Sequence, residues 1–195
     1  MDALTQALMQ SLASGGLEKI GSTVGADRDT ASSALSAVIP ALVTGLAKNS
    51  AKPEGAESLL RALQEDHDGS VLSNLDGLLG DPAAGEGAGI LSHVLGAKQP
   101  VVEKGLAGKT GMSAAQVSQL LAIAAPLVMG TLGKQQREKG LDAGGLSSLL
   151  GSAMKADADA DPDLLGMLNT MLDADKDGSA VDEVMGFVGK LFKKG

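Results

Sequence analysis

The chain has no cysteine, tryptophan or tyrosine, and Phe187 and Phe192 are its only aromatic residues. Without cysteine there can be no disulfide, no thiolate zinc site and no cysteine nucleophile. Positive charge is also scarce: 16 Lys and Arg face 24 Asp and Glu, giving a net charge of −8 and a pI near 4.7. That balance argues against nucleic acid as a partner, because phosphate recognition relies on basic side chains. Two-residue alternation of β-branched residues is missing as well, so no strand is expected. The first 16 residues lack a basic start followed by an apolar block, so no secretory signal is read and the cytoplasm is the expected compartment.

Apolar residues nevertheless make up 44% of the 195, a globular composition long enough for one good core. They are Leu, Ala, Val and Met mixed with 27 Gly. Small side chains let helices approach closely and Met fills irregular gaps, so tight helix-on-helix packing is expected. The uncharged run Met112–Gly133 has the length of a membrane span. It also carries Ser113, Gln116, Ser118, Gln119 and Pro126, and reads better as a buried helix than as a stable span.

Two stretches align without a gap: GADRDTASSALSAVIPALVTGLAK (25–48) and GMSAAQVSQLLAIAAPLVMGTLGK (111–134). Six of the 24 positions are identical, pairing Gly25 with Gly111, Ser32 with Ser118, Leu35 with Leu121, Pro40 with Pro126, Leu46 with Leu132 and Lys48 with Lys134. The parallel extends to 56–63 with 145–152, and to DHDGSVLSNLDGLLG (66–80) with DKDGSAVDEVMGFVG (175–189). KADADADPD (155–163) reads as an insertion in the second copy, and its acidic part as a solvated linker. The expected fold is therefore all-α, a multihelical bundle with an internal duplication around two proline-interrupted central helices. Residues 1–87 form the first repeat, 88–97 a connection and 98–195 the second repeat, packed together.

Helical spacing places elements near 3–13, 16–23, 28–47, 54–65, 70–79, 89–95, 99–107, 113–136, 143–154, 162–172 and 179–193. Ser113 reads as an N-cap, and Pro53 with Glu54 suits a first turn. Pro40 and Pro126 fall inside apolar helical patterns, where each is expected to bend its helix or split it in two.

The sharpest chemical pattern is DADKDGSAVDEV, residues 173–184. Asp173, Asp175, Asp177 and Gly178 fill positions 1, 3, 5 and 6 of a calcium loop, and the Ser179 carbonyl suits position 7. Val184 stands where the closing glutamate belongs, so Asp182 or Glu183 would have to complete a shortened ligand set. The competing reading is a helix end, a left-handed Gly178 and a capping box from Ser179 to Asp182. In the first copy Gln64, Asp66 and Asp68 take the corresponding places. A carboxylate is lost while Asp-Gly-Ser remains, so what the copies share is a turn.

Other motifs fail on inspection. GKT (108–110) lacks the earlier glycine of a phosphate loop, Glu103 standing in its place. His67 and His93 read as surface or helix-end histidines; an enzyme would need one polar pocket joining them. Beyond the acidic loop, Val184, Phe187, Val188 and Leu191 form a helical stripe, with Phe192 beside it, suited to a partner or to the body.

ALSAVIPALVTGLAKN, SLLRALQEDHDGSVLSNLDGLLG, GAGILSHVLG and LLAIAAPLVMGTLGKQ resemble a bacterial domain-of-unknown-function family related to YidB-like proteins. The resemblance covers the chain to about residue 136, and LDADKDGSAVDEVMGFVGKLF is similar to the tail of many members. It implies a compact multihelical fold and defines no catalytic residue or cofactor. The resulting expectation is a non-catalytic helical protein acting through a protein partner or as a homo-oligomer, with calcium binding at 173–183 as the alternative.

Overall fold

The computed structural model describes residues 3–80 and 86–173, and among them every regular element is helical. In chain order these are α1 (Ala3–Leu12), α2 (Gly16–Val24), α3 (Arg28–Ser50), α4 (Pro53–Glu65), α5 (Leu75–Gly80), α6 (Glu86–Val94), α7 (Gln99–Thr110), α8 (Ala114–Lys139), α9 (Ala143–Ala160) and α10 (Pro162–Asp173). The fold is an all-α multihelical bundle, as the sequence predicts.

Its centre is the pair α3 and α8, which pack on each other. From Ala37 to Ala47 every residue of α3 is buried, and the same holds for Ile123–Gly133 of α8. A helix that is apolar all round must be surrounded by protein or by lipid. Both helices are long and apolar enough to cross a membrane, yet 78% and 72% of their apolar windows are already covered by neighbouring helices. The halves share this core: α7 and α9 cover α3, while α1, α2 and α4 reach α8.

Matching devices start the two central helices. Gly25 (φ 70°) and Gly111 (φ 74°) both adopt the left-handed conformation that ends the preceding helix. Two residues later Asp27 caps α3 by accepting from Thr30 N–H at 2.8 Å. Ser113 caps α8 in a capping box with Gln116. Gln116 Nε2 also donates to the carbonyls of Val24 and Gly25 at 3.1 and 3.2 Å, joining the start of α8 to the end of α2.

Neither proline splits its helix: α3 continues through Pro40 and α8 through Pro126. A helical proline removes one N–H and leaves the carbonyl four residues back without its usual donor. For Pro126 that carbonyl belongs to Ala122. Gly87 of α6 packs directly onto it, so closely that a methyl group at 87 would collide with the oxygen. At its other end α6 lies over α3: Val94 packs on Gly45, and Asn49 Nδ2 donates to His93 O and Val94 O at 2.9 and 3.2 Å. The element expected at 89–95 thus begins earlier, and its added first turn brings Gly87 onto the Ala122 backbone of α8.

Two further expectations need correction. The stretch 155–163 is neither linker nor loop, since α9 runs on to Ala160 and Asp161 caps α10 through Leu164 N–H at 2.9 Å. Leu146, Leu150, Ala153 and Asp157 form one buried stripe at helical spacing, so the acidic run continues the helix that precedes it. The helix expected at 70–79 is a 3-10 turn, Ser70–Ser73, followed by α5. It breaks at Asn74, whose side chain accepts from Gly77 N–H at 3.3 Å. The turn and α5 pack on α8 and α2, and in the second half α10 packs on α3 and α7. The helix expected at 179–193 lies outside the described residues.

Candidate functional site

The DHDG turn follows the end of α4 and sits on the C-terminal half of α8. Gly69 takes φ 89°, and Asp68 Oδ1 accepts from Ser70 N–H at 2.8 Å, closing the turn. The hydroxyl and N–H of Ser70, with Arg137 behind them, hold the Asp68 carboxyl below the usual carboxylate range. The guanidinium of Arg137 donates to Asp68 O at 2.6 Å and to Leu63 O at 3.1 Å. It therefore satisfies a carbonyl of the last turn of α4 and one in the turn beyond it. Gly133 gives the turn its seat: a Cβ there would overlap the carbonyl oxygen of His67.

Beside the turn is a cavity of about 300 Å³. Asp66, His67, Asp68, Ser70, Asn74 and Glu86 give it a polar wall, and Val71, Leu78 and Pro126 an apolar one. His67 is buried, only 9% exposed, and its Nδ1 lies 2.7 Å from Glu86 Oε1 of α6. The expectation of a surface histidine is thus wrong for His67: it lies two residues past the end of α4, and its side chain is buried beside the cavity that Pro126 also lines. His93 is exposed as expected. Its Nδ1 sits 2.9 Å from Gly89 O and it does not line this cavity, so the cavity does not join the two histidines.

Of the residues proposed for calcium, only Asp173 is described; Asp175, Asp177, Ser179 and Asp182 lie outside the described residues, as do Val184, Phe187, Val188, Leu191 and Phe192. Asp173 ends α10 and forms an ion pair with Lys48 of α3. No group of three or more Asp, Glu or His able to share a metal occurs among the described residues.

The spacing of DHDGS revealed the turn. Its two partners, Arg137 and Glu86, were not legible, because they come from helices 69 residues after Asp68 and 19 after His67 in the sequence. The small residues Gly130 and Gly133, followed by Arg137, were the available hint that another backbone approaches α8 there.

A family model described as a bacterial protein of unknown function, DUF937, matches residues 6–135. The chain belongs to this family. The DUF937 match spans α1 to most of α8 and so includes the acidic turn, the cavity and both prolines, whereas α9 and α10 lie beyond it. No curated protein and no solved structure matches the chain.

Proposed function

We propose that this DUF937 protein is a non-catalytic helical module that works through protein contacts, self-association among them. The observation that carries the reading is how the polar groups at the turn are engaged. Asp68 closes the turn onto Ser70, Arg137 spans two carbonyls, and His67 faces Glu86. These side chains join α4, α6 and α8, an arrangement that suits a scaffold. The apolar stripe Val184, Phe187, Val188 and Leu191, with Phe192, then follows a body whose central helices have their own apolar surface covered. A stripe of this kind, holding every aromatic residue of the chain, is the natural contact element.

Sedimentation velocity over a wide concentration range tests the proposal. The full chain is expected to associate reversibly, and Phe187→Ser/Phe192→Ser to sediment as a monomer with unchanged helical content. A full chain that remains monomeric at every concentration removes self-association. Equal association in the double variant removes the stripe.

A further inference from the structure

We propose that the cavity beside the acidic turn binds a small organic cation, an ammonium group carried on a short alkyl stem. Its volume of about 300 Å³ is at the lower end of small-molecule sites. Its two walls differ in kind. Asp66, Asp68 and Glu86 line one, and Val71, Leu78 and Pro126 the other. No lysine or arginine lines either wall. The cations of α8 that border the turn are engaged elsewhere, Arg137 with the carbonyls of Leu63 and Asp68 and Lys134 with Glu138.

His67 supplies the observation that points to a ligand. Its side chain is only 9% exposed, lines the cavity, and has Nδ1 beside Glu86 Oε1. The other ring nitrogen, Nε2, makes no hydrogen bond or ion pair among the described residues. A polar atom so placed calls for a partner from outside the fold. The carboxylate at Nδ1 favours the tautomer with its proton there, so in the neutral ring Nε2 is an acceptor. Asp66 adds a carboxylate without a partner among the described residues. The polar wall is therefore dominated by acceptors, and suits a ligand that brings donors and positive charge. No three of these groups can share a metal ion, whereas the several N–H donors of an ammonium can reach separate acceptors.

The apolar wall decides the rest of the ligand. A bare ammonium ion would leave Val71, Leu78 and Pro126 facing water, while an alkyl stem covers them. Both sides of the cavity are held in place. The turn is seated on Gly133 and tied by Arg137. Glu86 begins a helix whose Leu91 and Val94 are buried and which packs on α8 and α3. Groups fixed in this way lose little freedom when a ligand enters. The net charge of −8 also draws cations toward the molecule.

Proton–nitrogen NMR of the full chain tests the site, with n-butylamine as the probe at constant ionic strength and about pH 8, where an imidazole is ordinarily neutral. Butylamine is expected to shift the amides of the turn and of the start of α6 saturably at millimolar concentration. Three controls separate its parts: 1-butanol has the stem without charge, ammonium chloride the charge without a stem, and butyrate the opposite charge. Each should bind several-fold more weakly. Asp66→Asn/Glu86→Gln, altered at exposed positions, should keep the wild-type circular dichroism. Its affinity for butylamine should fall about five-fold, the scale of two partly exposed charge contacts. The proposal is overturned if butylamine gives no saturable shifts at these residues, or if any of the three controls matches it. It is also overturned if the double variant binds butylamine as tightly as wild type.

Discussion

Gly133 of α8 lies against the carbonyl oxygen of His67 with no room for a β-carbon between them. This backbone-to-backbone contact seats the acidic turn and sets what a substitution there would do. Helix propensity alone predicts that Gly→Ala stabilises by about 1 kcal/mol. At Gly133 the obstructing atom is backbone and cannot swing aside, so Gly133→Ala is expected to destabilise by about 1–3 kcal/mol. Gly166 of α10 is exposed, with open space where an added methyl group would stand, and Gly166→Ala should stabilise by up to about 1 kcal/mol. Urea denaturation of the two variants should therefore give shifts of opposite sign.

Arg137 tests the other attachment of the turn. Arg137→Ala leaves the Leu63 and Asp68 carbonyls without their charged donor, at a cost of about 1–3 kcal/mol. Lysine should not rescue it, because an ammonium on a flexible stem does not reproduce the fork that reaches both oxygens. Equal midpoints for Arg137→Lys and wild type in urea denaturation would contradict this.

Three aspartates make acid stability predictable in sign. Asp27 is held below the usual carboxylate range by the Thr30 N–H and then its hydroxyl, Asp68 by Ser70, and Asp161 by the Leu164 N–H and then Lys109. Each folded-state value is depressed, so each contribution is present above the unfolded aspartate value of about 3.9 and is lost as pH falls through the lower folded value. Stability should consequently drop below about pH 4. Asp161→Asn should flatten that drop, as measured by denaturation midpoint against pH.

Calcium gives a further test. Asp173 would supply the first ligand of the loop, and it pairs with Lys48; Val184 provides no closing carboxylate. A cation would have to displace the ammonium without the bidentate ligand that normally completes such a site. Millimolar calcium is therefore expected to leave the melting temperature unchanged. A rise that disappears in Asp173→Ala/Asp175→Ala would establish the calcium reading instead.

Much of the helical framework was legible because apolar spacing, Ser113 and Pro53 are local signals. The sequence was misleading where a tertiary partner decides the outcome. Pro126 looked like a break because the sequence does not reveal that Gly87 covers the carbonyl it strips of a donor. DADADPD looked like a linker because charge density hid Asp157 continuing the inward stripe of Leu146 and Leu150. His67 looked exposed because acidic neighbours on both sides say nothing about Glu86, which arrives from another helix. The turn was visible in the letters DHDGS, while the cavity required the tertiary fold.

The most direct test of the account concerns the core that the two halves share, with α9 on α3 and α4 on α8. Residues 1–85 and 86–195 can be produced separately and followed by circular dichroism during urea titration. Each piece alone is expected to lack a cooperative transition, and mixing them should restore helix and a single transition. A cooperative, native-like transition in either isolated piece would contradict the shared core.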